Sequence, residues 1–324
     1  MKHRLTLLSL ISGLVLMAQE TTLNLASDVW PPFTNVTSEK SIALDIVSTA
    51  LNRLKLKTNH EIVSFESVIE GLNANKFDGS AALWETAERE KTLLFSDSYL
   101  QNRLVLVGLK GMDVSLNSIA ELTNRTLGLV EGYAYDDSLL NATNLELVFS
   151  KSDQINLEML FDKKIDYMLV DELLIQYLLK YQLNDVNKYL AIGVQPFEIK
   201  TLHFALRKDI PNAETIISSF NNEIKIMLKD GTYNQVLNLD WVRADIDGDG
   251  VSELIFNGKS IGTEIPKSSY AVYYNSNDKN SETNFFVNGK SYSSWNDIPD
   301  NFKKKVSFQV SDDIYNPGLR IKFN

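Results

Sequence analysis

Cysteine is absent from the 324 residues, and only three histidines and seven prolines occur. Without a thiol there is no disulfide, thiolate metal site, cysteine nucleophile or iron–sulfur cluster, and nothing to protect in an oxidising compartment. His60 and His203 lie far apart in sequence with no metal-ligand spacing, so imidazole-based zinc chemistry is not expected. Excess positive charge is missing too. The 32 Lys+Arg stand against 42 Asp+Glu, a net charge of −10 that repels phosphate backbones and anionic lipid, so neither nucleic acid nor a membrane surface is an expected partner. What the chain does have is apolar content, 44% of residues, enough to bury a sizeable core in two or three domains.

Long apolar runs are scarce. The one near the start follows Lys2, His3 and Arg4, extends from Leu5 to Met17 and ends at the small Ala18, which is the pattern of a signal peptide over residues 1–18. At about 13 residues it falls short of the ~20 that a spanning helix needs. With no cysteine to carry a lipid, the expectation is a soluble, exported, periplasmic protein with no membrane insertion.

From Thr22 onward strand and helix patterns alternate. Strands are predicted at Leu23–Ala26, His60–Val63 and Gly79–Leu83, with helices at Ile42–Leu54 and Ser67–Asn75 between them. A second series has strands near Leu104–Leu109, Thr126–Val130, Leu145–Phe149 and Tyr167–Val170, with helices near Ser118–Leu122, Gln154–Phe161 and Glu172–Tyr181. After a strand at Thr201–Arg207 come helices over Asn212–Lys229 and Tyr233–Leu237, the first stopped by Asp230-Gly231. Beyond Trp241 the composition turns to Tyr, Phe, Ser and Asn. Asn257-Gly258 and Asn288-Gly289 each sit between strand-like runs, which predicts two hairpins in a separate, small β-rich module over 242–324.

Five segments occur in a fixed order: "SDVWPPF", "SFESVIEGLNANKFDGSAAL", "ETAEREKTLLFSDSYLQNRLVLV", "KKIDYMLVDELL" and "FALRKDIPNAETIISSFNNEIKIMLKDGTYNQVLNLDW". With them, the chain from about Gln19 to Trp241 resembles family 3 periplasmic solute-binding proteins, the amino-acid-binding receptors of ABC importers. The resemblance implies an α/β, bilobal periplasmic-binding-protein fold with a two-strand hinge. Lobe 1 would take residues 19–101 and 202–241, and lobe 2 residues 102–201. Ligand would bind in the cleft and the lobes close over it.

The resemblance also implies roles for particular residues. Arg89 falls where the family holds the ligand's α-carboxylate, a task suited to a guanidinium fork; the plainer alternative is a solvated charge among Glu85, Glu88, Glu90 and Lys91. Asp171 matches the acceptor for the α-amino group and ends a predicted strand, where open α/β sheets bind ligands; it is equally placed to cap the helix starting at Glu172. Trp30 and Phe65 match the family's aromatic walls.

The chain departs from the pattern at three places. Trp84 stands where the family has a Ser or Thr hydroxyl. Gly132-Tyr133-Ala134 replaces the glycine and hydroxyl residues that open a lobe 2 helix, leaving only backbone N–H groups there for an anion. "SEKSIALD" replaces the family's glycine-and-aromatic turn. Trp84, Tyr133 and Tyr135 make the expected cleft richer in aromatics, able to stack a flat or apolar ligand or to fill part of the pocket themselves. The opposed charges of Arg89 and Asp171 still favour a small polar or zwitterionic ligand, an amino acid or related carboxylate.

Outside that region "DIDGDGVSE" places Asp245, Asp247 and Asp249 at alternate positions, then Gly250, Val251 with its backbone carbonyl, and Glu253. Oxygen ligands in this order wrap a hard cation, so a structural calcium ion is expected; the alternative is an acidic turn with no metal. Position twelve is Phe256 and not the bidentate Glu of a helix–loop–helix sensor.

Three functions are compatible with these residues. The first is a monomeric binding protein serving an inner-membrane ABC permease or a sensor. The second is a dehydratase-like enzyme on the same frame, for which Glu85, Glu131 and Glu172 are the nearby carboxylates. The third is an interaction protein whose cleft is filled by Trp84 and Tyr133. No triad, histidine metal set or phosphate loop supports catalysis, so no enzymatic activity is expected.

Overall fold

In strand β1 (Thr22–Ser27) Leu23 and Leu25 are buried while Thr22 and Asn24 face solvent, the period-two alternation of a strand with one face on a core. The computed structural model describes residues 22–36, 41–181, 188–237, 239–247, 249, 251–259, 261–263, 270–271 and 284–303. The expected leader lies outside the described residues. Helix α1 (Ile42–Arg53) buries Ile42, Ala43, Ile46, Val47, Ala50 and Leu51, one face at helical spacing. β2 (Lys57–Ile62) follows, then α2 (Phe65–Asn73), opened by Ser64, whose side chain accepts the Ser67 N–H. The wholly buried β3 (Gly79–Leu83) and the short β4 (Leu93–Phe95) complete the first half.

β5 (Leu100–Leu109) leads into the second half: β6 (Thr126–Val130), α3 (Asp137–Leu140), β7 (Glu146–Ser150), α4 (Asp153–Phe161), β8 (Tyr167–Asp171), α5 (Glu172–Tyr181) and β9 (Leu190–Ile192). β10 (Glu198–Arg207) returns to the first half, which ends in α6 (Ala213–Asp230) and α7 (Thr232–Leu237). α6 stops where Gly231 takes φ 85°, a left-handed conformation suited to glycine. The helix expected at Ser118–Leu122 is a single 3-10 turn over Ile119–Leu122.

The strands form one sheet in the order β2-β1-β3-β10-β5-β8-β6-β7, with β4 also on β10 and β9 on β5. The two ten-residue strands β5 and β10 carry the chain between its halves. Antiparallel β10 pairs β5 from Glu198 to Leu202, then moves to β3 and β4 from His203 to Arg207. Its register shifts between His203 and Ala205. Such an irregularity bends a strand locally, and here it falls where β10 changes partners. Beside it the Tyr233 hydroxyl donates to the Tyr99 carbonyl and the Tyr99 hydroxyl to the Ala81 carbonyl at 2.8 Å, so both buried phenols are satisfied.

A second sheet follows, built from β11 (Trp241–Ala244), β12 (Glu253–Phe256), β13 (Tyr270–Ala271), β14 (Asn284–Val287) and β15 (Lys290–Tyr292) in the order β13-β11-β12-β14-β15. Its strands alternate between two cores. Trp241, Leu254, Phe256, Phe285 and Val287 form a small cluster of their own, whereas Val242, Ala244, Ile255 and Phe286 join the main core of the molecule. The module is therefore less separate than its composition suggests.

Among the described residues, one of the two expected hairpins forms. Asn288 and Gly289 adopt φ 47° and 82° and join β14 to antiparallel β15, as a two-residue hairpin requires. Asn257-Gly258 leaves β12 without a positive φ, and β12 pairs β14 in parallel. The Asn257 amide is engaged elsewhere, donating to the Leu228 carbonyl and to Asn234 Oδ1, both at 3.2 Å.

Candidate functional site

Three strand ends converge between the halves. β1 leads into Asp28 and Trp30, β3 into Trp84 and the 3-10 turn carrying Arg89, and β6 into Gly132 and Tyr133. Carboxyl ends of strands are where open α/β sheets bind ligands. With Phe65 from the start of α2, these residues line a cleft of about 260 Å³, part of it open to solvent. Gly132 has φ 80°, a left-handed conformation suited to glycine, while a Cβ there would meet the Phe65 ring only at an ordinary contact distance of 3.5 Å, so it is the turn that calls for glycine. The helix expected to open at this glycine begins later, at Asp137, and the Gly132–Ala134 backbone is an irregular turn, not a helix N-terminus.

Aromatic rings occupy most of the space. Tyr133 stands edge-on to Phe65, Trp84 and Trp30 with ring centroids at 5.0, 5.4 and 6.0 Å, and its hydroxyl donates to Asp28 Oδ2 at 3.1 Å. Trp30 and Trp84 meet edge-on at 5.6 Å. The Arg89 guanidinium bridges the halves, donating from Nη1 to the Trp84 carbonyl at 2.6 Å and from Nη2 to the Gly132 carbonyl at 3.1 Å, and it lies 5.4 Å from the Phe65 ring. Burial lowers its pKa to about 10, still cationic at neutral pH.

Of the two occupations open to Asp171, the helix cap is the one formed. Its carboxylate turns back onto its own helix, where Oδ1 accepts the Leu173 and Leu174 N–H groups at 2.7 and 3.4 Å; Oδ2 accepts the Asn102 amide at 3.1 Å. Asn102 Oδ1 in turn accepts the Trp84 indole N–H at 2.8 Å. Asp171 is thereby joined through Asn102 to Trp84, which lines the cleft. Helix capping is what this aspartate does, and it is not among the residues that line the cleft with Arg89.

Two carboxylates that sequence reasoning passed over matter more. Asp28 lines the cleft, and burial drives its pKa up to about 6 against the opposing effect of its own backbone N–H and the Tyr133 hydroxyl. Asp153, 7% exposed at the start of α4, rises to about 8 through burial and repulsion from Asp28 and Asp171; Asp171 itself rises to about 7, mainly through burial. Only the place of Asp28, directly after a strand in "SDVWPPF", marked it in the sequence. On the return strand Lys200 lies 5.8 Å from the Trp84 ring, but it is bonded to Asp136 at 2.9 Å and Glu198 at 3.1 Å.

The three glutamates weighed as acid–base candidates are spoken for in other ways. Glu131 pairs with Lys151 at 2.8 Å and Glu172 with Arg103 at 2.8 Å, while Glu85 is raised by burial and by a bond to Glu90. At the start of the second sheet, Asp245, Asp247 and Asp249 each present a carboxylate oxygen within 4.8 Å of the others. Glu253 is buried beside them, accepts the Ile246 N–H at 3.1 Å and is pushed up to about 7 by burial and the charges of Asp247 and Asp245. Val251 donates its N–H to Asp249 at 2.8 Å, closing the turn.

Comparison with known proteins gives this geometry a context. The family model of bacterial extracellular solute-binding proteins, family 3, matches residues 23–243, ending within β11. The L-cystine-binding protein TcyA of Bacillus subtilis is 25% identical over 204 residues, 63% of this chain and 72% of TcyA. An ancestral arginine-binding protein bound to arginine superposes with a TM-score of 0.57 at 21% identity, covering 67% of this chain and 96% of that one. The substrate-binding protein AbpA of an amino acid ABC transporter from Streptococcus pneumoniae, bound to L-arginine, gives 0.56 at 18% identity, covering 67% and 93%. The chain belongs to family 3 of the bacterial extracellular solute-binding proteins: its fold is the bilobal periplasmic-binding-protein fold, and it is a binding protein, not an enzyme. Among the described residues no helix is long and apolar enough to cross a membrane.

Proposed function

We propose that this chain is exported to the periplasm through its amino-terminal leader and there, as a monomer, captures a small amino acid or related polar solute for an ABC permease or a sensor. Residues 19–101 with 202–241 act as one jaw and residues 102–201 as the other, turning about β5 and β10. The observation that carries this reading is the Arg89 guanidinium, which lies in the interlobe cleft and reaches backbone carbonyls of both halves. A carbonyl dipole is a weaker partner for a cation than a carboxylate is, so a solute carboxylate can take over the fork and hold the jaws shut. Titration of amino acids against the tryptophan fluorescence of Trp30 and Trp84 is expected to show one saturable site, with affinity lowered at least a hundredfold in Arg89→Ala. Unchanged affinity in that variant rules the guanidinium out as the anchor.

One observation favours a second reading, in which the cleft is closed to solutes and the C-terminal sheet does the recognising: the space in the cleft that a water-sized molecule can reach is about 20 Å³, far below the usual range of roughly 300–1,000 Å³ for ligand pockets. Failure of every solute to bind, with a partner retained by the full chain, selects it.

The loop before β12 is proposed to hold a calcium ion that fixes the second sheet on the binding domain. Supporting this are the convergence of Asp245, Asp247 and Asp249 and the buried, charge-repelled carboxyl of Glu253, all of which a divalent cation neutralises. Millimolar calcium is expected to raise the Tm by several degrees in a manner reversed by chelation and lost in Asp247→Asn. An unchanged Tm contradicts the staple.

A further inference from the structure

Tyr133 is placed as a bound molecule would be. Its flat ring stands among Trp30, Phe65 and Trp84, its polar tip donates to the one carboxylate in the cleft lining, and its backbone neighbour Gly132 engages Arg89. The cleft is small because this side chain is in it. We propose that Tyr133 is a built-in occupant of the cleft, and that a solute binds by displacing its ring and placing a cationic group of its own on Asp28. This deepens the capture function proposed above and rests on it.

Charge in the cleft points to the sign of the displacing group. Asp153 lies within electrostatic reach of both Asp28 and Asp171, while the nearby cations are matched elsewhere: Lys200 by Asp136 and Glu198, Arg103 by Glu172. Arg89 is the cation lining the cleft, and its fork is bonded to the Trp84 and Gly132 carbonyls, whereas Asp28 takes the Tyr133 hydroxyl. A phenol supplies Asp28 with a neutral hydrogen bond only; an ammonium or guanidinium supplies a charge-assisted one. The walls suit the same group, since aromatic faces attract cations, and a planar guanidinium stacks on them best. The solute class is thus a slim organic cation with a carboxylate for Arg89, and Tyr133 sets the threshold it must overcome. A competent open cleft populated only in part weakens the apparent affinity by that fraction.

The test uses the full-length protein with L-arginine as the cationic probe and L-citrulline, its neutral isostere, as control, by calorimetry at pH 6 in two buffers of different ionisation heat. L-Arginine is expected to bind at least tenfold more tightly than L-citrulline and to release protons, because a cation on Asp28 pulls its raised pKa back down. Tyr133→Ser is expected to tighten L-arginine binding at least tenfold. Tyr133→Phe, which keeps the ring and drops the bond to Asp28, should tighten it by about fivefold. Asp28→Asn should remove the preference for L-arginine over L-citrulline. Equal binding of the two compounds, no proton release, or weaker binding by Tyr133→Ser overturns the proposal while leaving solute capture standing. If neither compound nor any other amino acid binds to wild type or Tyr133→Ser, both this proposal and solute capture fall.

Discussion

At the scale of single residues, the sequence placed Trp30, Phe65, Trp84, Arg89 and Tyr133 in one candidate site, and those five side chains do line one cleft. It was less informative about carboxylates. Asp171 had two possible occupations, and a helix cap needs only the next turn of its own chain, whereas facing a ligand depends on how distant segments assemble; here the carboxylate is taken by the Leu173 N–H and by Asn102, which also holds Trp84. Asp153 was invisible because an aspartate at a helix start is normally solvated; only the fold shows it buried among other acids. Its effect on stability has a defined sign. Asp28, Asp153 and Asp171 have folded-state pKa values raised from 3.8 to about 6, 8 and 7, so the folded chain holds more protons than the unfolded one between about pH 4 and 8. Their contribution favours the fold below the unfolded value and is lost as pH rises through the folded values. Asp153→Asn is therefore expected to raise the Tm at pH 8 by several degrees and to change it little at pH 5, measured by thermal melts at both. A larger gain at pH 5 contradicts the assignment.

At the scale of elements, amphipathic helices and buried strands were legible because a period of 3.6 or 2 is written directly in the side chains, as in α1 and β1. What a local dipeptide does is less so. Asn288-Gly289 makes the hairpin that Asn-Gly favours, but Asn257-Gly258 does not, because the Asn257 side chain is drawn to the end of α6 and to Asn234 in α7. Long-range partners of that kind leave no mark within a few residues of sequence. These two bonds tie the second sheet to the binding domain. Asn257→Ala is expected to cost about 1–2 kcal/mol, measured by denaturant unfolding, since it leaves a helix-terminal carbonyl without its donor. A cost near zero would mean that the apolar contact of Val242, Ala244, Ile255 and Phe286 holds the sheet alone.

At the scale of the whole molecule, the order of segments told more than any single motif, because two crossing strands separated by about a hundred residues of chain define a bilobal frame only when read together. The family match ends within β11, yet the sheet beyond it contributes one face to the main core, so the addition to the family frame is structural as well as appended. How far the jaws close, and over what, is a property of the assembled cleft: side chains from both halves, an arginine spanning them, and a tyrosine in the middle. The central claim is that this cleft captures one small charged solute. It is tested most directly by native mass spectrometry of the full chain and of Arg89→Ala, each prepared from the compartment into which it is exported. The account predicts a single solute of amino-acid size on the wild type, in a one-to-one complex, and none on the variant. Wild-type protein that stays bare in the presence of every amino acid, or a variant that retains the same solute, contradicts it.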